Sequence, residues 1–74
     1  MTKIKNEILL RKIALVIKEL RRNHNLTQSD FFFDTGIHIA RIESGKTNIS
    51  ISTLYEICNY FEISIKDFFT LIEK

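Results

Sequence analysis

The chain has 74 residues, 45% of them apolar and 27% charged with both signs mixed, and a formal net charge of +2. That length predicts one domain over residues 1–74, burying roughly 60% of the surface it exposes when unfolded and leaving little room for an enclosed catalytic pocket. A net charge this small does not indicate nucleic acid by itself, so the placement of the basic groups has to carry any such argument.

No low-complexity or Pro-rich segment suggests disorder. The longest unbroken apolar runs are about five residues, against the roughly 20 that a membrane-spanning helix needs. The N-terminus lacks a signal-peptide pattern, so a cytoplasmic protein with no membrane partner is expected. Cys58 is the one cysteine, which rules out an internal disulfide, and its apolar neighbours predict a buried, inert thiol.

Over residues 5–23, Leu9, Ile13, Val16, Ile17 and Leu20 recur at three- and four-residue spacing and predict a first helix with one core-facing side. Ile4, Ile8 and Leu15 fall on the opposite side, among Lys12, Lys18, Glu19 and Arg22. This second stripe is either a frayed end with a tolerated exposed Leu or a subunit interface. Asn25 suits the left-handed residue that ends a helix, with His24 solvated beside it. Thr27 and Asp30 have the spacing of a capping box, which opens a second helix over residues 28–34 with Gln28 in its exposed first turn. Phe31, Phe32 and Phe33 follow in succession. Neighbours on a helix lie about 100° apart, so at most two of these can face one core, and the third lies at a margin or an interface.

Asp34-Thr35-Gly36 reads as a turn, with Gly36 able to take positive φ. Ile39 and Ile42 share a face of a short third helix over residues 37–44, while His38, Ala40 and Arg41 look elsewhere. Gly45 stops that helix, and Lys46, Thr47 and Asn48 form a polar loop before Ser50, the expected cap of a fourth helix over residues 51–61. Leu54, Ile57, Cys58 and Phe61 there give the clearest amphipathic pattern in the chain. Ser64 and Asp67 repeat the capping-box spacing at a fifth helix over residues 65–73, which carries Ile65, Phe68, Phe69, Leu71 and Ile72, more apolar groups than one side can bury. No run alternates as a strand does, so the fold class is all-α with five helices.

Taken in order, Glu19-Leu20-Arg21, Leu26-Thr27-Gln28, the run Arg41-Ile42-Glu43-Ser44-Gly45-Lys46-Thr47-Asn48-Ile49-Ser50, Thr53-Leu54 through Phe61, and Ser64 through Phe69 resemble the helix-turn-helix domains of phage Cro and repressor proteins, the xenobiotic response element family. The resemblance covers nearly everything from Ile13 to Phe69 and implies a five-helix lambda-repressor-like DNA-binding domain. It implies that Gln28 meets a phosphate at a helix N-terminus, that Arg41 points outward from the recognition helix toward base edges, and that Lys46, Thr47 and Asn48 hold the sugar-phosphate backbone. Arg21 and Glu43 fall on a pair that ties the first helix to the recognition helix.

The chain departs from the family between Gln28 and Glu43, where it is about three residues shorter than usual. One alignment keeps Thr35 to Gly45 as the recognition helix and removes the turn. The other keeps Gly36-Ile37-His38 as turn and helix start, and removes about one turn from the helix tip. The second fits better, because two helices at this angle need a few turn residues and Gly36 suits a turn. His38 and Arg41 are then the remaining base-contact candidates, against the ordinary roles of a cap and a solvated charge. Phe32 stands where the family has a small residue, and Glu62 where it commonly has Gly.

The leading functional expectation is a sequence-specific DNA-binding transcriptional regulator, a small repressor or autoregulator, that acts on double-stranded DNA as a homodimer. Its interface candidates are Ile4, Ile8, Leu15, Phe68, Phe69 and Ile72. The alternative is a protein-interaction module or antitoxin subunit on the same scaffold, with a toxin as possible partner and weak DNA binding. No enzyme, metal or cofactor is expected, since His24 and His38 lie on different segments and no metal-ligand spacing appears.

Overall fold

The computed structural model describes residues 4–73, in five helices: α1 Glu7–Asn23, α2 Gln28–Thr35, α3 Ile39–Glu43, α4 Ile51–Tyr60 and α5 Ile65–Ile72. No strand occurs among the described residues, and the chain is all-α as the spacing predicts.

Four of the helices begin at a side chain that accepts a hydrogen bond from the first turn: Asn6 from Leu9, Thr27 from Asp30, Ser50 from Thr53 and Ser64 from Asp67. Each satisfies an amide that the helix itself leaves without a partner. At α2 the box is reciprocal, and the Asp30 carboxylate accepts from the Thr27 amide at 3.0 Å. Those bonds to Thr27 hold the Asp30 carboxyl below its ordinary pKa. At α5 only one half of the expected box forms, the Asp67 amide donating to Ser64 Oγ at 3.0 Å.

Two helices end on non-glycine residues in the left-handed region, Asn25 at φ 56° and Glu62 at φ 55°. In each case an amide one residue further on closes the turn, Leu26 onto the Arg21 carbonyl and Ile63 onto the Cys58 carbonyl. Glu62 therefore fills the place of a glycine at a strain of about 1–2 kcal/mol.

α1 packs against both α3 and α5, α2 against α3, and α4 against α5. The buried side of α1 is Leu10, Ile13, Ala14 and Ile17. Leu9, Val16 and Leu20 are only half-buried around it, so the core face is turned from the expected one. Because α1 serves two neighbouring helices, its dry face is wider than a single stripe, and apolar residues at 8–10 and 13–17 left its centre ambiguous. Of the three phenylalanines only Phe31 is buried; its ring stacks on Phe61 at 5.5 Å and meets Tyr60 edge-on at 4.7 Å. The helical step carries Phe32 and Phe33 outward, to 42% and 88% exposure.

Phe68 and Ile72, expected at an interface between copies, are instead buried in the protomer's own core. The reason is the position of α5, packed between α1 and α4, where those two side chains have apolar partners already. Phe69 is half-buried against the same core, while Ile4, Ile8 and Leu15 are exposed.

Gly36 and Gly45 both have positive φ, 73° and 75°. A methyl group at Gly36 would meet nothing within 4 Å, whereas at Gly45 it would lie 3.1 Å from Arg11 Cγ and 3.5 Å from Arg11 Cα on α1. Gly36→Ala should thus cost the left-handed strain alone, about 1–2 kcal/mol, and Gly45→Ala more than that. Urea unfolding of the two variants checks the order; an equal or larger loss at Gly36 would contradict it.

Candidate nucleic-acid interface

A partly buried ion pair positions α3. Arg21, in the last turn of α1, donates from Nε to Glu43 Oε2 at 2.7 Å and from Nη2 to Oε1 at 2.9 Å, with the two side chains 11% and 3% exposed. Nη1 donates to the Leu26 carbonyl at 2.7 Å, inside the link between α1 and α2. The planar guanidinium thus matches a carboxylate on one edge and a carbonyl on another. The hydrogen bond to Glu43, aided by its charge, pushes the Arg21 pKa above its ordinary value against the opposing effect of burial. Gln28 Nε2 adds a further bond to Glu43 Oε1 at 3.1 Å, which joins the start of α2 to the end of α3.

The connection from α2 to α3 is held by Thr35. Its hydroxyl donates to the Phe31 carbonyl at 2.8 Å and accepts from the Ile37 amide at 3.1 Å, so Ile37 is kept out of the helix. With Gly36 left-handed and its amide on the Phe32 carbonyl, three residues make the turn and α3 begins only at Ile39. α3 is therefore five residues long, against the expected span 37–44. His38 precedes it without a side-chain cap, and its ring lies 4.6 Å from that of Phe32.

His38, Arg41, Thr47 and Asn48 line one open cleft of about 330 Å³. Gln28 lies in an adjoining groove of about 270 Å³ between α2 and α3, with Ser29, Phe32, Phe33 and Ala40, and His38 borders both. Lys46 is exposed on the loop, whose bend is set by Ser44: its hydroxyl donates to the Arg41 carbonyl at 2.6 Å and accepts from the Lys46 amide at 3.3 Å. Asn48 is tied elsewhere as well, its side-chain amide donating to the Ile4 carbonyl at 3.3 Å. Neither that bond nor the Gln28 bond to Glu43 was legible from spacing, because both partners are distant in sequence and polar.

A further concavity of about 590 Å³ lies between the end of α2 and α4, carries Asp34, Glu56 and Tyr60, and shares Ile37 and Thr53 with the cleft of Arg41. Tyr60 donates its phenol proton to Asp34 at 2.7 Å, which joins α2 to α4 and raises the phenol pKa. Cys58 is buried and unpaired, its thiol pKa raised by desolvation. No cluster of potential metal ligands occurs among the described residues. No helix among them is long and apolar enough to cross a membrane.

A sequence model of helix-turn-helix proteins, of the Cro/repressor type, matches residues 17–68. The chain belongs to this helix-turn-helix family. No curated protein and no solved structure shows a significant match to it. The family is one of DNA-binding regulators with a lambda-repressor-like all-α fold. In family terms α2 and α3 are the helix-turn-helix pair and α3 is the recognition helix. Gly36, Ile37 and His38 form the turn between α2 and α3, and α3 runs from Ile39 to Glu43. Phe32 packs its ring against His38 just before α3.

Breaking either half of the Arg21–Glu43 pair leaves a partly buried charge without its partner, so Arg21→Ala and Glu43→Ala should each cost about 1–3 kcal/mol. The double variant should lose markedly less than the sum of the two. Urea unfolding of the four-member cycle measures the coupling, and simple additivity would show that the pair does not act as a unit.

Proposed function

We propose that this is a sequence-specific DNA-binding transcriptional regulator, a small repressor or autoregulator that acts in the cytoplasm as a homodimer. The observation that carries the reading is one acid-free surface where His38, Arg41, Thr47 and Asn48 meet, with Lys46 exposed beside it. Glu43, the acid nearest this face in sequence, is already neutralised by Arg21. In this reading Arg41 reads a base edge in the major groove, His38 sits at the same edge, and Lys46, Thr47 and Asn48 hold the phosphate backbone. Gln28 keeps one amide hydrogen free for a phosphate while the other stays on Glu43.

Arg41→Ala should reduce discrimination between the best and the poorer duplexes, by about 1–3 kcal/mol at the base pair it reads. Lys46→Ala should weaken all duplexes alike and lower the salt slope by about one. Binding measured over a duplex library at several salt concentrations separates the two effects. Weak binding that is uniform across sequences would favour a second reading instead, that of a protein-interaction module or antitoxin subunit. The five-residue α3 and the exposed apolar residues Phe33, Ile51 and Tyr55 support that alternative.

As a homodimer the regulator would place two α3 helices roughly 34 Å apart on a palindromic site. With Phe68 and Ile72 inside the core, Ile4, Ile8, Leu15 and the half-buried Phe69 are the remaining interface candidates. Light scattering over a concentration series should reveal a dimer that Leu15→Glu weakens; a strict monomer at high concentration would overturn the dimer.

A further inference from the structure

Residues 7–16 of α1 precede the span 17–68 that matches the family, and the helix-turn-helix reading gives their charges no part. Two contacts nonetheless tie this front end of α1 to the loop after α3. Gly45 lies against Arg11: a methyl group there would stand 3.1 Å from Arg11 Cγ and 3.8 Å from Ala14 Cβ, so a residue without a side chain lets the loop backbone come up to α1. Asn48 Nδ2 donates to the Ile4 carbonyl at 3.3 Å, which holds the lead-in to α1 against the same loop. Lys46, between Gly45 and Asn48, therefore shares its edge of the molecule with Arg11 and with Lys5, the residue after Ile4.

The charges placed at this edge are Lys5, Arg11 and Lys46 against one carboxylate, that of Glu7. Arg11 and Lys46 are both exposed, and neither is paired, since Arg21–Glu43 is the only ion pair among the described residues. Arg11 Nε donates to the Glu7 carbonyl at 3.4 Å rather than to its carboxylate. Both Nη groups thus lack a partner among the described residues, and their planar fork matches a phosphate. The other end of the Arg41 cleft has the opposite character. There, at Ile37 and Thr53, the cleft meets the concavity that carries Asp34 and Glu56. A run of phosphates passing Arg41 meets repulsion at that end and attraction at the end of Asn48 and Lys46.

We propose that Arg11 binds a DNA phosphate next to the one held by Lys46, so that the front of α1 forms an outer part of the DNA interface. The inference rests on the DNA-binding reading above and adds to it a contact outside the helix-turn-helix pair. Gly45 and Asn48 are positioning residues for it, the first by letting the loop approach Arg11 and the second by holding the lead-in of Lys5 beside it.

The test uses the full chain and two duplexes, one selected from a random pool and one of unrelated sequence, each titrated over a series of salt concentrations. Arg11→Gln keeps the stem over Gly45 and removes the charge. It should weaken both duplexes by the same factor and lower the salt slope by about 0.9, the value for one phosphate contact. Arg11→Lys should keep the wild-type slope. Lys12→Ala removes the same charge from the neighbouring position, on the flank of α1 that shares a hollow with Glu73, and should leave the slope unchanged. Arg11→Gln combined with Lys46→Ala should lower the slope by about twice as much as either alone. If Arg11→Gln keeps the wild-type slope, or Lys12→Ala lowers it equally, the α1 contact is overturned while DNA binding stands. If the wild type binds neither duplex, the DNA-binding reading fails and this inference with it.

Discussion

The Arg21–Glu43 pair is the constraint on which the rest of this small structure depends. α3 is too short to hold itself in place, since a helix of five residues closes few hydrogen bonds of its own and is far below the length that is stable alone. It is held instead from three directions: by Arg21 through Glu43, by α2 through Gln28, and by Ile39 and Ile42 in the core. Arg21 simultaneously closes the α1–α2 link at Leu26, so one guanidinium sets both ends of the helix pair. A partly buried pair adds little net stability, but it specifies orientation, because either charge without the other is costly.

That specification is also what gives the outer surface its character. Glu43 is turned inward and neutralised, which leaves Arg41 and Lys46 facing outward with no carboxylate in the clefts beside them. The acids Asp34 and Glu56 lie in the neighbouring concavity, which meets the Arg41 cleft at Ile37 and Thr53, and Asp34 is engaged by Tyr60. In a chain with a net charge of only +2, turning one carboxylate inward changes the local balance of charge around Arg41.

The phenylalanine run shows how a shortened helix is accommodated. Phe31 takes the core position and stacks with Phe61, while the Phe32 ring packs at a tilt against His38. A large side chain is tolerated there because α3 starts late and the space beside the turn is open. The consequence is an exposed aromatic edge on α2 next to the cleft that Arg41 lines.

Local rules already determined much of this protein from its sequence. The caps at Thr27, Ser50 and Ser64, the left-handed Asn25, the stops at Gly36 and Gly45, and the amphipathic α4 all follow from spacings of four residues or fewer. The Arg21–Glu43 partnership was accessible only through the order of family motifs, because its members stand 22 residues apart. The tertiary structure decided which apolar surplus is core and which is surface. Phe68 and Ile72 went inside because α1 and α4 flank α5, Phe33 went outside because only one stripe of α2 faces the core, and Leu10 and Ala14 displaced the expected face of α1. It also decided that α3 begins at Ile39, through the bond from the Ile37 amide to Thr35. Periodicity states that a residue is apolar and on which side of its own helix it lies. Which side is covered depends on the neighbouring helices, and that is set only when all five pack together.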